Sequence, residues 1–190
     1  MTGKIAVIGL GNPVLTDDSV GIKVARALAE TIRNRDGVDF LEVAAGGLRL
    51  MDAMIGYQRV VIIDAMETGM LPAGTIRRLL PGDGVSTKNT ASSCDASFAA
   101  TIELGRRLGL RLPEEISIWG IEAADVDSFG VELTEDVARA VPWVVDEITR
   151  ELAGTLASEA TDTARAGRES AGDTSPALMV ALAAEGTGRC

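Results

Sequence analysis

The chain has 190 residues, which is enough for one domain with a hydrophobic core. Its formal net charge is −10, which argues against unspecific binding to nucleic acids or to anionic membrane surfaces, because both need clusters of lysine and arginine. No apolar stretch reaches the roughly 20 residues that span a bilayer, so a membrane partner is not expected. Histidine is absent, which excludes mechanisms that use imidazole as a base or as a metal ligand.

The cysteine content and the first residues bear on localisation. The two cysteines, Cys94 and Cys190, are too few for a disulfide framework. Lys4 leads directly into an apolar run, without the pattern of a signal peptide. We therefore expect a cytoplasmic protein.

The first predicted unit is a strand, a loop and a helix. Ile5–Ile8 is a short β-branched run typical of a buried parallel strand. Gly9 and Gly11 interrupt it, and the loop that follows carries two adjacent carboxylates, Asp17 and Asp18. The apolar residues after this loop repeat at four-residue spacing, which predicts a helix; they are Val20, Val24, Leu28 and Ile32.

The later segments continue the alternation of strands and helices. We predict strands over 38–43, 59–63, 75–80 and 115–121, and helices over 48–55, 95–108 and 135–152. Pro72 and Gly74 form a turn before the 75–80 strand, which we expect to be antiparallel. The pattern predicts an α/β three-layer sandwich, with a mostly parallel central sheet, one antiparallel strand and helices on both faces. We expect a single domain over residues 1–154 and a disordered tail over 155–190, where the composition changes to Ala, Thr, Ser and Gly.

Two carboxylates and a thiol are candidates for chemistry. Asp64 follows an apolar strand, where an ionised carboxylate is costly unless it is solvated, hydrogen-bonded or bound to a cation. If the first and third strands are neighbours, Asp18 and Asp64 lie in one cleft at their carboxyl ends. Asp17 and Asp18 have a second explanation, as favourable residues at the start of a helix. Cys94 begins a predicted helix and is either a thiolate ligand for zinc or nickel or a small buried apolar residue.

A dinucleotide-binding site is a weaker interpretation of the same loop. Gly9-Leu10-Gly11 fits the start of the glycine fingerprint, but Val14 stands where the third glycine belongs. The carboxylates of Asp17 and Asp18 would also repel a pyrophosphate at this helix N-terminus.

Taken together, the motifs of this chain resemble those of the hydrogenase maturation endopeptidases. The resemblance covers about residues 4–152 and rests on the order and spacing of its motifs. These are Gly9-x-Gly11-Asn12, Asp17-Asp18-x-x-Gly21, Gly46-Gly47, Val60-Val61-Ile62-Ile63-Asp64-Ala65, Pro72-x-Gly74-Thr75, Ser92-Ser93-x-Asp95, Gly120-Ile121-Glu122 and Leu133-Thr134.

This resemblance implies a reaction and a partner. The expected reaction is removal of the C-terminal extension from the precursor of a [NiFe]-hydrogenase large subunit, after nickel has been inserted. Nickel is then carried by the substrate, although other divalent metals are expected to bind in vitro. The resemblance assigns Asp18 and Asp64 to metal recognition and to positioning of the scissile bond, with water as the nucleophile; whether either carboxylate acts as general base is left open.

The third metal contact differs from the family pattern. The family has a histidine in the third segment, and here Cys94 takes its place, so we expect Asp18, Asp64 and Cys94 to contact the metal. Ala45 stands where many relatives carry aspartate. We expect the neighbouring motif residues to bind the substrate; these are Asn12, Gly46, Gly47 and Asp95. The alternative is a non-catalytic relative that senses metal or binds the precursor without cutting it.

Overall fold

A five-stranded sheet forms the centre of the molecule. The computed structural model describes residues 4–32, 37–79, 87–88 and 98–170, and of residues 157–170 it describes the backbone. The strands are β1 (Ile5–Leu10), β2 (Val38–Val43), β3 (Arg59–Met66), β4 (Ile76–Leu79) and β5 (Glu115–Glu122). The helices are α1 (Val20–Thr31), α2 (Gly47–Met54), α3 (Phe98–Arg107) and α4 (Glu135–Ser170), and a single 3-10 turn, Asp17–Ser19, precedes α1.

The strand order is β2-β1-β3-β5-β4, and four of the five strands are parallel. β4 is antiparallel to β5 and lies at an edge of the sheet. β1 and β3 are central neighbours, paired from Ile5 with Arg59 to Gly9 with Ile63. The predicted fold class, with its single antiparallel strand, is therefore confirmed.

The two faces of the sheet are covered by different helices. Because side chains alternate along a strand, Ile5 and Val7 of β1 pack with α1 and α4, whereas Ala6 and Ile8 pack with α2 and α3. Every residue of β1 is buried, as expected for a parallel strand covered on both sides. This arrangement places the loops after β1, β3 and β5 at one edge of the sheet, which we call the carboxyl edge.

The largest differences between predicted and observed boundaries are at the ends of β3 and α4, whereas β1 extends two residues beyond its predicted end, to Leu10. β3 does not stop at Ile63 but continues to Met66, because β5 extends alongside it and pairs Ala65 with Ile121. The last helix does not end near Leu152 but continues to Ser170. The division into a domain over 1–154 and a tail over 155–190 stays a prediction.

None of the helices, over the residues that the structure describes, combines the length and the apolar character needed to cross a membrane.

Candidate active site

The loops after β1 and β5 are bound to each other at the carboxyl edge. The Asp17 N–H donates to the Asp125 carbonyl (2.9 Å) and the Thr16 N–H donates to the Ser128 carbonyl (3.0 Å). The Thr16 hydroxyl donates to the same Ser128 carbonyl (2.8 Å). In open α/β sheets, ligands gather at this edge, and the residues predicted to carry chemistry are expected there.

Glycines bring the start of α1 against the ends of β1 and β3. A β-carbon at Gly21 would collide with the carbonyl oxygens of Leu10 and Ile63. Gly11 has φ of 137°, and a β-carbon there would collide with the Asp18 carbonyl oxygen. The start of α1, directly after the turn that carries Asp18, therefore packs against the ends of the two central strands. Its contact on β3 is Ile63, the residue before Asp64.

Asp64 lies inside β3 rather than after its end. It is fully buried, and its Oδ1 accepts a hydrogen bond from the Ala65 N–H (2.9 Å). By strand alternation its side chain lies on the same face as Ile62 and Met66, which pack with α2 and α3. A carboxylate buried at this depth needs polar or cationic partners to stay ionised.

Asp18 is nearly fully buried on the 3-10 turn. Its Oδ2 accepts a hydrogen bond from the Asn12 N–H (2.9 Å), and its Oδ1 lies 3.9 Å from the Lys88 ammonium. The N-cap residues are Thr16 for the turn and Ser19 for α1. Capping is therefore not the role of Asp18.

Asp17 holds the loop that follows β5. It is fully buried, and its Oδ2 accepts hydrogen bonds from the N–H groups of Ala124 (2.9 Å) and Asp125 (3.0 Å) and from the Thr134 hydroxyl (2.8 Å). Its Oδ1 accepts a fourth from the Thr134 N–H (2.8 Å). The two adjacent carboxylates thus differ in their partners. Asp17 binds the loop 123–134, whereas Asp18 on the same turn lies beside Asn12 and Lys88.

Glu122 is a buried carboxylate to which the sequence argument gave no role. Its Oε1 accepts hydrogen bonds from the Thr68 N–H (2.9 Å), the Thr68 hydroxyl (2.8 Å) and the Gly69 N–H (2.9 Å). Its Oε2 is buried and makes no hydrogen bond within the described structure. The sequence feature that could have indicated Glu122 is the same one that indicated Asp64, namely an acidic residue at the end of an apolar strand.

Asp125 keeps its charge in the loop 123–134. The hydroxyl of Ser128 lowers the pKa of Asp125 most, followed by the N–H groups of Ser128 and Asp127. The positive charge of Lys88 acts in the same direction. Asp125 is therefore ionised at neutral pH and adds to the negative charge of the carboxyl edge.

The predicted substrate-binding residues lie partly at this edge. Asn12 is half-buried, and its Oδ1 accepts a hydrogen bond from the Val14 N–H (3.2 Å), so its side chain shapes its own loop. Gly46 is the N-cap residue of α2, and Gly47 begins that helix with φ of 60°. The Gly11 N–H donates to the carbonyl of Val43 (3.2 Å), at the end of β2, which holds these loops side by side.

Cys94 and Asp95 lie outside the described residues. Across the ranges 4–32, 37–79, 87–88 and 98–156, no three acidic, cysteine or histidine side chains are grouped so as to hold a metal ion. The predicted metal contacts that can be placed are therefore Asp18 and Asp64.

A cavity of about 510 Å³ lies away from this site. It is next to the first residues of β3 and β5 and includes Arg59 and Arg78 in its lining. Both arginines form ion pairs with Glu151 (2.7 and 2.9 Å), which also accepts a hydrogen bond from the Trp119 indole N–H (3.2 Å). This cluster fastens α4 to three strands, and we interpret it as structural.

Comparisons with known proteins agree with the motif pattern. The model of a family described as hydrogenase maturation protease matches residues 22–151. The hydrogenase expression/formation protein HupD of Rhizobium leguminosarum bv. viciae is 24% identical over 152 residues, which cover 78% of this chain and 74% of that protein.

Solved structures show the same architecture. The hydrogenase maturating endopeptidase HybD from E. coli superposes with a TM-score of 0.64 at 21% identity, covering 80% of this chain and 93% of that one. The [NiFe] hydrogenase maturation protease HybD from Thermococcus kodakarensis has a TM-score of 0.53 at 30% identity, covering 78% and 98%.

Proposed function

Because this chain belongs to the hydrogenase maturation protease family, whose members are peptidases, we propose that it removes the C-terminal extension of a [NiFe]-hydrogenase large-subunit precursor after nickel insertion. The observation that carries the proposal is the pair of buried carboxylates, Asp18 and Asp64, on neighbouring parts of the carboxyl edge. We place the protein in the cytoplasm, as its low cysteine content favours.

In the proposed reaction, Asp18 and Asp64 contact the nickel that the precursor carries and fix the scissile peptide bond beside it. Carboxylate oxygens are suitable nickel ligands, and a thiolate from Cys94 would add a softer one. Water adds to the carbonyl carbon, the C–N bond breaks, and the released amine takes a proton. An ionised aspartate at this edge is able to accept the proton of the attacking water.

The surroundings of the two carboxylates suit a polypeptide substrate. The loops at the carboxyl edge carry large apolar side chains that are exposed, including Met70 (83%) and Phe129 (86%). Three more are at least half exposed; they are Val14 and Val131 in these loops and Leu48 in the first turn of α2. Exposed apolar groups that cluster around one site favour contact with another protein, and we propose that this apolar rim receives the precursor.

The test is cleavage of a nickel-loaded precursor, followed by mass spectrometry of the large subunit. We expect the wild-type protein to release the C-terminal peptide, and we expect Asp18→Asn and Asp64→Asn each to slow release by at least about a hundredfold. Asp146→Asn, an exposed position on α4, is the matched control and should cleave at the wild-type rate.

Two outcomes would oppose the proposal. An intact precursor after incubation with wild-type protein would contradict it, and if the precursor were nevertheless captured in a pull-down, the non-catalytic alternative would be favoured. Cleavage at the wild-type rate by both asparagine variants would show that the chemistry lies elsewhere.

A further inference from the structure

Lys88 crosses the carboxyl edge between the two candidate carboxylates. Its backbone N–H donates to the Ala65 carbonyl (2.8 Å), directly after Asp64. Its ammonium donates to the Val126 carbonyl (2.9 Å) in the loop after β5. These two hydrogen bonds connect the end of β3 with the loop after β5 through a single lysine, whose side chain is 26% exposed.

The ammonium of Lys88 lies beside Asp18. The distance from its Nζ to Asp18 Oδ1 is 3.9 Å, and the distance to Asp127 Oδ1 is 3.8 Å. Asp18 is buried, whereas the side chain of Asp127 is 92% exposed. Charge interactions at a buried carboxylate are screened less than those at the surface, so the positive charge acts more strongly on Asp18 than on Asp127; it also acts on Asp125.

A cation that approaches Asp18 therefore meets a positive charge that is already in place. A divalent metal ion at this carboxylate would lie within a few ångströms of the ammonium, and the repulsion at that distance is strong in a partly desolvated site. The Val126 carbonyl and Asp127 offer the ammonium two other partners. Lys88 can thus leave Asp18 without losing all of its contacts.

We propose that Lys88 is a specificity-determining residue that keeps free divalent cations away from Asp18. Asp18 then engages a metal only when a docked precursor presents it and the ammonium moves away from Asp18 while it keeps its contacts with Val126 and Asp127. This inference rests on the proposed function, and it adds a discrimination between nickel held by the substrate and nickel in solution.

The experiment is isothermal titration of the purified full-length protein with Ni²⁺ alone. Lys88→Met removes the charge and keeps the length of the side chain, and we expect it to bind Ni²⁺ about tenfold more tightly than wild type. Lys88→Arg keeps a positive charge and should bind as wild type does. The tightening should disappear in the double variant Asp18→Asn with Lys88→Met, because the carboxylate that gains from the loss of charge is absent.

Lys23→Met is the matched control. The Lys23 ammonium donates to the Val131 carbonyl of the same loop, so this variant removes one positive charge near the edge without exposing Asp18. We expect its Ni²⁺ affinity to be that of wild type. Thermal unfolding of each variant verifies that it is folded, and Lys88→Gln replaces Lys88→Met if the latter does not fold.

The inference is overturned if Lys88→Met binds Ni²⁺ no more tightly than wild type, or if Lys23→Met tightens binding equally. Cleavage of the nickel-loaded precursor by wild-type protein is measured in parallel. If wild-type protein cuts the precursor but Lys88→Met does not bind Ni²⁺ more tightly, only the role of Lys88 is rejected. If the precursor stays uncut, the proposed function is rejected whatever the titration shows.

Discussion

Substitution of Asp17 by asparagine tests whether this carboxylate is structural while its neighbour is functional. The Oδ2 atom accepts three hydrogen bonds and Oδ1 accepts one, all within the buried contact between the 3-10 turn and the loop 123–134. An asparagine has one acceptor oxygen, which can keep the three donors of the Oδ2 position. Its amide group would then face the Thr134 N–H, so that two donors oppose each other.

The cost follows from these contacts. Losing one hydrogen bond to a charged acceptor costs about 1.5–3 kcal/mol, and three further bonds weaken when the acceptor becomes neutral. We expect Asp17→Asn to lower the free energy of unfolding by about 3 kcal/mol. For a chain of this size that corresponds to a fall in Tm of about 6–12 °C.

Urea unfolding followed by circular dichroism measures the effect. Asp146→Asn, on the exposed side of α4, makes the same change of charge and should unfold as wild type does. Thr134→Val removes one of the four donors, and in combination with Asp17→Asn its cost should be less than additive. An Asp17→Asn protein whose unfolding free energy stays within about 0.5 kcal/mol of wild type would refute the structural role of these bonds.

Three other expectations concern single side chains. Burial, and then the hydrogen bond to Asp39, raises the pKa of Tyr57 to about 12, whereas the pKa of a tyrosine in an unfolded chain is about 10. The stability that the protonated Tyr57 contributes is therefore complete below about pH 10 and is lost as the pH rises to about 12. Urea unfolding across this pH range should show a fall in the free energy of unfolding that Tyr57→Phe lacks. Glu122→Gln keeps the acceptor for Thr68 and should change the unfolding free energy by less than about 1 kcal/mol, while Glu122→Leu should lower it by about 3 kcal/mol. Phe129→Ser should leave the Tm unchanged but raise the KM for precursor cleavage about fivefold, because an exposed aromatic side chain at an interface is lost.

Each of these expectations has a result that contradicts it. The expectation for Tyr57 is contradicted if Tyr57→Phe loses as much stability at alkaline pH as wild type does. The expectation for Glu122 is contradicted if Glu122→Leu has the same free energy of unfolding as wild type. An unchanged KM in Phe129→Ser, measured with the same precursor, would remove this residue from the apolar rim that we propose for docking.

Much of the fold could be predicted from local patterns. β2 was predicted at its observed bounds, 38–43, because a run of apolar and β-branched residues follows a turn there. β3 was predicted too short, since its last residues are held by pairing with β5 about 56 positions later in the chain. No local pattern reports such a pairing.

The end of α4 was missed for a similar reason. The change to a polar composition after Gly154 led to a predicted helix end near Leu152, although alanine, glutamate and arginine also favour helices. The Thr155 hydroxyl is a hydrogen-bond partner of the Arg59 guanidinium (2.7 Å). That contact fastens the helix at a position where the sequence alone shows only a loss of apolar residues.

The candidate site residues could be predicted from the sequence, but the contacts that distinguish them could not. Asp18 and Asp64 were predicted as site residues because acidic residues that follow apolar strands of a parallel sheet meet at one edge, and their role stays a prediction. Asp17 could not be separated from Asp18, because its four donors come from a loop more than 100 residues away. Lys88 carried no signal at all, since its position depends on a backbone hydrogen bond to β3.

The contact at Gly21 has a consequence for how such a protease can change its preference among precursors. With two strand carbonyls against one α-carbon, the depth of the Asp18 turn is fixed by the backbone and cannot be adjusted by swapping side chains. Residues on the outer side of the loops, such as Met70 and Phe129, meet no such restraint because they face solvent. Divergence towards new partners would therefore alter the periphery while the two acidic groups keep a common position.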